Sequence, residues 1–521
     1  MARVGKKNPH AHIPFGIGSR VTPISLMMTF GRSRWKASGN ATPATPAFPG
    51  TVRPPRRGVT PGSLQMNVIM IVADTVVTDY LGVHGGHVHT PNLARLAAES
   101  VDFVSAQAAS FPTVPARADY LTGRYALTDI GWGPLPRDLR TLPEYLSESG
   151  ITCCGVVDTP FYKVKGYNYD RGFRWFADIP VQDVARLSAD PRVQSNTPLV
   201  RGPWLTEHDH CAPVTFTEAE KHLDLLVQAG EPFFLYVDTW DPHEPWDAPR
   251  WYTERYLPNY DGRLVKPAYA TLDNLAQFDY TADDVAIARA CYSGKLEMVD
   301  RWLGRFLDSA DALGLRHDTA VIFTTDHGFC FGEHGLFGKM IADRSMADPA
   351  LRRWLRSPLW RDIVNVPLFV RLPGNDPRVD ERLVSAVDLA PTITDIFGLE
   401  APEPFLGRSL LPLVTSPQGP GREVAISAMP LANAGSDLVS IVDDITRQVR
   451  EWQPITVTTD DWTMLWSVRQ EPCELYDRRS DPNQTTNVAA DHPSVVERLH
   501  ALMIGELEVA GASAHHVDAR R

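Results

Sequence analysis

The sequence predicts an α/β protein in which a large, mostly parallel mixed sheet lies between helices. From residue 66 onward, apolar runs of strand length alternate with amphipathic stretches of helical length, which is typical of parallel strands joined by crossover helices. Two of these runs end in carboxylates, as buried parallel strands do where they open on an active-site crevice. After residue 413 strand-like runs follow one another closely, so we expect a small antiparallel sheet there. A chain of 521 residues suits one large domain with a smaller one attached.

Individual elements can be placed from these patterns. In the large domain, assigned to residues 66–413, we expect strands at 67–73, 232–237 and 319–325 and helices at 92–99, 142–149 and 286–313. In the smaller α+β domain, assigned to residues 414–521, we expect strands at 423–429, 454–459 and 462–468 and a closing helix at 493–508.

The first 65 residues differ in composition from the rest of the chain. They contain no Asp or Glu, carry several Lys and Arg, and include a tract rich in Pro, Thr and Ala at 41–61. Such a segment cannot form a core, so residues 1–65 are predicted to be a disordered basic leader. Two alternatives stay open, namely a true start at Met66 and a targeting arm. The apolar run at 21–30 is too short to span a membrane.

Charge and cysteine content limit the partners and the compartment. The net charge of −12 argues against nucleic acid as a general partner. Six cysteines without a Cys-x-x-Cys spacing indicate neither a disulfide framework nor a zinc ribbon, so we expect a reducing, cytoplasmic setting. No membrane span is expected, and a homo-oligomer is compatible with the sequence.

The ends of two predicted strands carry candidate metal ligands. Asp74 follows the strand at 67–73, and Asp326 and His327 follow the strand at 319–325. Parallel strands bring their carboxyl ends to one edge of a sheet, and two carboxylates with an imidazole can hold a divalent cation. Each carboxylate taken alone could instead cap the following helix. Together the three side chains predict one metal ion.

The segment 110–117, Ser-Phe-Pro-Thr-Val-Pro-Ala-Arg, predicts a nucleophile at the start of a helix. Pro115 fits the first helical turn, and the free backbone N–H groups there favour an anion. Thr113 supplies the hydroxyl and a further ligand position for the metal. Arg117 lies one turn further along and faces the same anion. For this segment by itself, an ordinary Thr-x-Pro helix cap is the alternative interpretation.

With the motifs elsewhere in the chain, these residues resemble the sulfatase-like branch of the alkaline phosphatase superfamily. The similarity extends from residue 67 into the C-terminal region. The matching segments are 73–75, 79–82, 90–97, 113–124, 241–245, 325–328, 332–339, 387–392 and 474–477. The resemblance implies an alkaline-phosphatase-like sandwich and a metal-dependent ester hydrolase that acts on a small anionic ester.

The chain departs from the sulfatase pattern at the nucleophile and at the metal site. Sulfatases of this fold carry a Cys or Ser that is oxidised to formylglycine, whereas the secondary alcohol of Thr113 could give only a ketone. The paired Asp-Asp is Asp74-Thr75 here, and His327 stands in place of Asn. A nitrogen ligand favours Mn²⁺ or Zn²⁺, with Ca²⁺ or Mg²⁺ as alternatives. The sulfatase Gly-Lys-x-His element is missing after Gly150, which makes the chain similar to phosphonate monoester hydrolase and phosphodiesterase relatives.

Four further residues complete the expected site. Lys339 offers a compact charge beside the planar fork of Arg117, which suits a transition state with charge on its equatorial oxygens. His243, in a proline-flanked loop after a predicted strand, is the candidate to bind the anion or to protonate the leaving oxygen. Asp158 and Thr159 could line the substrate pocket or form a turn before the next proline.

The combined expectation is a metal-dependent hydrolase of phosphodiesters, phosphonate monoesters or phosphomonoesters that forms a covalent intermediate on Thr113. The first alternative is a sulfuric ester hydrolase without formylglycine, which would need Thr113 itself to become sulfated. The second is a catalytically silent anion-binding protein, and the complete set of expected site residues argues against it.

Overall fold

The structure is a computed structural model that describes residues 66–163, 165–180, 206–342, 354–431, 454–468 and 471–521. The predicted leader at 1–65 lies outside these residues. The strands are β1 (Asn67–Ala73), β2 (Val101–Phe103), β3 (Ala106–Gln107), β4 (Thr152–Val157), β5 (Trp175–Asp178), β6 (Phe233–Thr239), β7 (Ala270–Thr271), β8 (Thr319–Thr324), β9 (Cys330–Phe331), β10 (Leu336–Gly338), β11 (Ile341–Ala342), β12 (Trp354–Arg356), β13 (Leu368–Arg371), β14 (Arg378–Asp380), β15 (Val384–Ser385), β16 (Ala425–Ser427), β17 (Ile455–Thr458), β18 (Trp462–Trp466) and β19 (Glu474–Asp477). The α-helices are α1 (Pro91–Ala97), α2 (Thr113–Thr122), α3 (Ala126–Asp129), α4 (Leu142–Glu148), α5 (Cys211–Ala229), α6 (Arg250–Glu254), α7 (Ala282–Ala312), α8 (Arg361–Val364), α9 (Leu389–Ile396), α10 (Leu411–Thr415), α11 (Pro493–Val509) and α12 (Ala514–Asp518).

An eight-stranded sheet in the order β14-β2-β13-β8-β1-β6-β4-β5 forms the centre of the molecule. β13 runs antiparallel to both of its neighbours, and the other adjacent pairs are parallel. β1 lies between β8 and β6, so that Val72 pairs with Thr324 on one side and with Asp238 on the other. The carboxyl ends of these three strands therefore meet at one edge of the sheet.

Both faces of this sheet are covered by helices. In β1, Val68, Met70 and Val72 belong to one hydrophobic cluster together with residues of α2, α4 and α9. Ile69 and Ile71 belong to a second cluster with residues of α1, α5 and α7. Alternate residues of a strand point to opposite faces, so a strand covered on both sides must be apolar throughout, as β1 is.

The C-terminal residues form a four-stranded antiparallel sheet in the order β16-β17-β18-β19. Ile426 and Val457 of this sheet share the first hydrophobic cluster with β1 and α2. A β-bridge also joins Ala428 to Ser110, shortly before α2. The small sheet thus supports the segment that precedes Thr113. The described residues all belong to one compact unit, and the domain boundary at residue 413 stays a prediction.

The predicted fold class is confirmed, and most expected elements lie close to their predicted positions. The strand expected at 232–237 continues to Thr239, which brings Asp238 to the same edge as Asp74. α7 begins four residues before the helix expected at 286–313, because Thr281 and Asp284 form a capping box there. β19 was not among the expected strands, because its two apolar residues, Leu475 and Tyr476, are adjacent and neither alternate with polar residues nor form a longer run.

Among the described residues, no helix has the length and the apolar composition that a membrane span requires. All six cysteines are described, and each carries a free thiol.

Candidate active site

The carboxyl ends of β1 and β8 bring three buried side chains together. The ligand atoms of Asp74, Asp326 and His327 all lie within 4.8 Å of one another. Because β1 and β8 are parallel neighbours, the residues that follow them occupy the same corner of the sheet. The two strand ends therefore meet as the sequence predicts.

The donor atoms of this cluster suit a divalent cation. Asp74 Oδ1 accepts a hydrogen bond from Thr75 Oγ1 (2.6 Å), whereas Asp74 Oδ2 is buried, makes no hydrogen bond within the described ranges and has an ion-pair contact with Arg117 Nη1 at 3.0 Å. Asp326 Oδ1 accepts the backbone N–H groups of Thr75 (3.0 Å) and His327 (2.9 Å), which leaves Oδ2 facing the cluster. His327 Nδ1 donates to the carbonyl of Gly328 (3.0 Å), so the lone pair of Nε2 is available to a metal.

Burial and mutual charge set the protonation of the cluster. Burial and the nearby charge of Asp326 raise the pKa of Asp74 well above its usual value. Burial also disfavours the charged form of Asp326, but the charge of Arg117 outweighs it and holds the pKa of Asp326 far below its usual value. Burial lowers the pKa of His327 to about 3, so its imidazole is neutral near pH 7. A neutral imidazole is the form that can bind a metal.

Arg117 connects the metal ligands to another buried carboxylate. Its guanidinium is fully buried, and Nη1 lies 3.0 Å from Asp74 Oδ2 and also pairs with Asp326 Oδ2. Nε and Nη2 donate to the two carboxylate oxygens of Asp238, at 3.0 and 2.9 Å. The fork of Arg117 is thus fixed beside the cluster by three carboxylates. Its predicted contact with a bound anion stays a prediction.

Asp238 is the site residue that the sequence analysis missed. Besides Arg117, its carboxylate accepts hydrogen bonds from Tyr236 (2.8 Å), Thr159 (2.9 Å) and Tyr162. Five donor groups on one buried carboxylate hold it, and with it Arg117, in one position. A signal was present in the sequence, because Asp238 ends an apolar run in the same way as Asp74.

Thr113 is the first residue of α2 and is only 2% exposed. Its carbonyl lies 3.4 Å from Arg117 Nη1, the same nitrogen that contacts Asp74 and Asp326. Within the described part of the chain, the Thr113 hydroxyl makes no hydrogen bond. The start of α2 therefore lies next to the metal cluster, with an uncommitted hydroxyl. Ligation of the metal by Thr113 stays a prediction.

Asp119 holds the backbone that presents Thr113. Its buried carboxylate accepts hydrogen bonds from the N–H and the hydroxyl of Ser110 (both 2.7 Å) and from the N–H of Ala126 (2.8 Å). Burial raises the pKa of Asp119 to about 7. The chain before α2 is thereby tied to the chain after it.

Lys339 and His243 form a hydrogen-bonded pair next to the cluster. Lys339 Nζ lies 2.8 Å from His243 Nε2 and 3.5 Å from His327 Nε2. His243 Nδ1 donates to the carbonyl of Glu244 (2.9 Å), as His327 Nδ1 donates to Gly328, so both rings present an Nε2 lone pair to the ammonium group. Burial lowers the pKa of His243 to about 4. Near pH 7, His243 is therefore neutral, and its predicted role in binding the anion or protonating the leaving oxygen stays a prediction.

Asp158 and Thr159 have partners within the protein. Asp158 accepts hydrogen bonds from two threonine hydroxyls and from the N–H of Trp240, whose ring stacks on His243 at 3.7 Å. Thr159 donates to Asp238. Both side chains are fully buried, and their observed contacts position the His243 loop and Asp238. Their predicted contact with substrate stays a prediction.

Comparison with known proteins places this chain and its fold among ester hydrolases. The sulfatase family model matches residues 66–399, so the chain belongs to the sulfatase family. The uncharacterized sulfatase YidJ of Escherichia coli (strain K12) is 28% identical over 451 residues, which cover 82% of this chain and 83% of that protein. The phosphonate monoester hydrolase SpPMH from Silicibacter pomeroyi has a similar structure, with a TM-score of 0.66, 22% identity, and coverage of 87% of this chain and 97% of that chain. The structure of BT4656 in complex with its substrate D-glucosamine-2-N,6-O-disulfate is also similar, with a TM-score of 0.62, 18% identity, and coverage of 86% and 98%.

The protein is thus an ester hydrolase of the alkaline phosphatase superfamily. Members of the sulfatase family are metal-dependent, and the cluster of Asp74, Asp326 and His327 could hold the ion. Because the similar proteins include both sulfatases and phosphonate monoester hydrolases, similarity alone does not decide between sulfate esters and phosphoesters.

Proposed function

We propose that this protein is a metal-dependent hydrolase of phosphodiesters, phosphonate monoesters or phosphomonoesters that uses Thr113 as its nucleophile. The observation that carries the proposal is the position of Thr113 at the start of α2, where its carbonyl lies 3.4 Å from the Arg117 nitrogen that also contacts the candidate metal ligands Asp74 and Asp326. A secondary alcohol cannot be converted to the aldehyde that sulfatases of this fold use. Attack at phosphorus needs only the threonine oxygen itself.

Asp74, Asp326 and His327, together with Thr113, would hold one divalent cation, which supplies Lewis-acid stabilisation of the threonine oxygen and of one phosphoryl oxygen. The mixture of carboxylate and imidazole ligands favours Mn²⁺ or Zn²⁺, with Ca²⁺ or Mg²⁺ as alternatives.

In the proposed reaction, residues of this chain supply the nucleophile and the acid that protonates the leaving group. Thr113 Oγ, after losing its proton to solvent, attacks phosphorus; the new P–O bond forms while the bond to the leaving oxygen breaks. Lys339 protonates the leaving oxygen, and neutral His243 orients the ammonium group by accepting its hydrogen bond. Water then attacks phosphorus of the phosphothreonine and gives a proton to Lys339, the P–O bond to Thr113 breaks, and the threonine oxygen regains a proton from solvent.

The charge of the site favours singly charged esters. Among the described residues, four carboxylates at the site face three cationic side chains; the carboxylates belong to Asp74, Asp326, Asp238 and Glu244, and the cations are Arg117, Lys339 and Lys266. A divalent cation leaves the site one positive charge in excess. This excess matches the single charge of a phosphodiester or a phosphonate monoester, whereas a phosphomonoester dianion brings a second charge. We therefore expect phosphomonoesters to be the poorest phosphorus substrates.

A sulfuric ester hydrolase is the second candidate, and the match to the sulfatase family favours it. A sulfate monoester also carries a single charge, so the charge of the site accepts it. This reaction would place a sulfuryl group on Thr113, and water would have to attack sulfur to release it.

A panel of p-nitrophenyl esters separates these candidates. The panel contains the phosphate monoester, the bis(p-nitrophenyl) phosphodiester, a phenylphosphonate and the sulfate, each assayed with metal-depleted and metal-reconstituted protein. We expect metal-dependent turnover with the highest kcat/KM for the diester or the phosphonate, and its loss in Thr113→Ala. A higher kcat/KM for the sulfate would instead establish the second candidate. Absence of turnover with every ester in metal-loaded protein would indicate an anion-binding protein without catalysis.

A further inference from the structure

A second cavity, of about 580 Å³, lies between the edge of the large sheet and the C-terminal sheet. Its walls come from residues around β3, from α8, from the chain after β14 and from β17 to β19. None of the candidate active-site residues lines it. Its volume is within the range of cavities that hold small ligands.

The walls of this cavity are rich in guanidinium groups. Its four arginines outnumber its two carboxylates, Glu381 and Asp460, neither of which makes an ion pair within the described ranges. Three of the arginines are paired with acids that do not line the cavity, namely Arg361 with Asp79, Arg382 with Asp380 and Arg479 with Asp461. The fourth, Arg478, makes no ion pair among the described residues.

Arg478 is oriented by neutral groups alone. Nη1 donates to the carbonyls of Thr459 (2.5 Å) and Asp460 (3.4 Å), and Nη2 donates to the hydroxyl of Ser105 (3.2 Å). These three bonds leave two of its five N–H groups for another acceptor. Burial and the charge of Arg361 lower the pKa of Arg478, although the charge of Asp460 partly offsets them. The guanidinium is thus held in one place by neutral groups, without a direct ion pair among the described residues.

We propose that this cavity binds an oxyanion, a phosphate or sulfate group, at a site separate from the catalytic cluster. Arg478 would bind the anion with its planar N–H edge, while the charges of the other three arginines are offset by their paired carboxylates. Thr458 and Thr463 add hydroxyl groups to the lining. The volume leaves room for an organic group attached to the oxyanion.

A neighbouring cavity shows that this charge pattern is local. It has a volume of about 1000 Å³ and shares Gln484 with the arginine-lined cavity. Its walls carry five carboxylates and a single arginine, Arg356, which pairs with Glu471 and Glu474. An oxyanion is therefore favoured in the smaller cavity and repelled from the larger one.

Isothermal titration calorimetry at constant ionic strength tests the proposal. Inorganic sulfate and phosphate are titrated into a Lys339→Met protein, in which anion binding at the catalytic site is weakened. In the Lys339→Met protein we expect sulfate and phosphate to bind at one saturable site. The affinity of this site should be at least about tenfold lower in Lys339→Met/Arg478→Gln, because a charge-assisted contact is lost. The matched control Arg479→Gln removes the same charge from an exposed, paired neighbour and should change the affinity less than about threefold. Glucose 6-phosphate distinguishes the sources of the oxyanion, because tighter binding than that of inorganic phosphate indicates an organic ligand.

A variant that is expected to increase the affinity provides a second test if Arg478→Gln does not fold. Glu381→Gln removes an unpaired carboxylate from the wall, so it should tighten sulfate binding about two- to fivefold. The proposal is overturned if the Lys339→Met protein shows no saturable site, if the two arginine variants lose affinity equally, or if Glu381→Gln leaves the affinity unchanged. The measurement is independent of turnover, so failure of the proposed phosphoesterase activity would not affect it.

Discussion

Replacing Asp238 with Asn tests whether this missed carboxylate fixes Arg117. The substitution keeps the size of the side chain but removes its charge, which leaves Nε and Nη2 of Arg117 buried without a carboxylate. Removing one partner of a buried ion pair costs about 3–5 kcal/mol. Arg117 retains its contacts with Asp74 and Asp326, so we expect the lower end of this range, about 3 kcal/mol.

Urea unfolding at pH 7 measures this loss, and Tyr236→Phe is the matched control. The control removes one neutral hydroxyl donor from the same carboxylate and leaves the ion pair intact, so its free energy of unfolding should fall by about 1 kcal/mol. In Asp238→Asn, we also expect kcat/KM to fall by about 30- to 1000-fold, which corresponds to the loss of one preorganised donor group at about 2–4 kcal/mol.

Two results would refute this reasoning about Asp238. The first is a loss of stability in Asp238→Asn no greater than that in Tyr236→Phe, which would show that the ion pair contributes little. The second is an unchanged kcat/KM in a correctly folded Asp238→Asn protein, which would show that catalysis does not depend on the position of Arg117.

The remaining predictions concern the nucleophile, the metal, pH and the leader. Thr113→Ala should lose nearly all turnover, while Thr113→Ser should keep part of it. Rapid quench followed by peptide mass spectrometry should find a phosphoryl group on Thr113 of the wild-type protein. Wild-type turnover in Thr113→Ala would exclude the covalent route. Metal analysis of active protein should find about one equivalent of a divalent ion, and two essential ions would contradict the single cluster. As the pH decreases from 6.5 to 4, His243 takes up a proton in the unfolded chain before it does so in the folded protein, so the free energy of unfolding decreases by about 3 kcal/mol for this group. The decrease should be smaller in His243→Gln, and an equal decrease in both proteins would contradict the lowered pKa of His243. Removal of residues 1–65 should leave the melting temperature and turnover nearly unchanged, and loss of folded protein would show that the leader contributes to the core.

The sequence predicted those parts of the site that depend on local pattern. A buried strand that ends in a carboxylate is visible within a window of ten residues, and this was enough to locate Asp74 and Asp326. That the two meet depends on β1 and β8 being parallel neighbours, which follows from the expected fold class. The fold and the metal cluster were therefore accessible from the order of strands and helices.

The contacts that orient the catalytic groups could not be predicted in this way. Arg117 and Asp238 are 121 residues apart in the chain, and Lys339 and His243 are 96 residues apart. Neither separation matches the spacing of neighbouring side chains within one helix or strand, so these two contacts can be seen only in the folded structure. The expected end of the strand at 232–237 also hid Asp238, since β6 continues to Thr239.

The charge of the site and the chemistry of Thr113 limit the reaction in different ways. A single excess positive charge does not separate a phosphonate monoester from a sulfate monoester, because each carries one negative charge. The nucleophile does separate them. In sulfatases of this fold, the hydrate of the formylglycine aldehyde can release sulfate by breaking its own C–O bond. An ester of Thr113 has no such route, so water must attack the transferred phosphorus or sulfur directly. The cationic groups of the site, namely Arg117 at the carbonyl of Thr113 and Lys339 at His243 and His327, must therefore stabilise two successive displacements at the same atom.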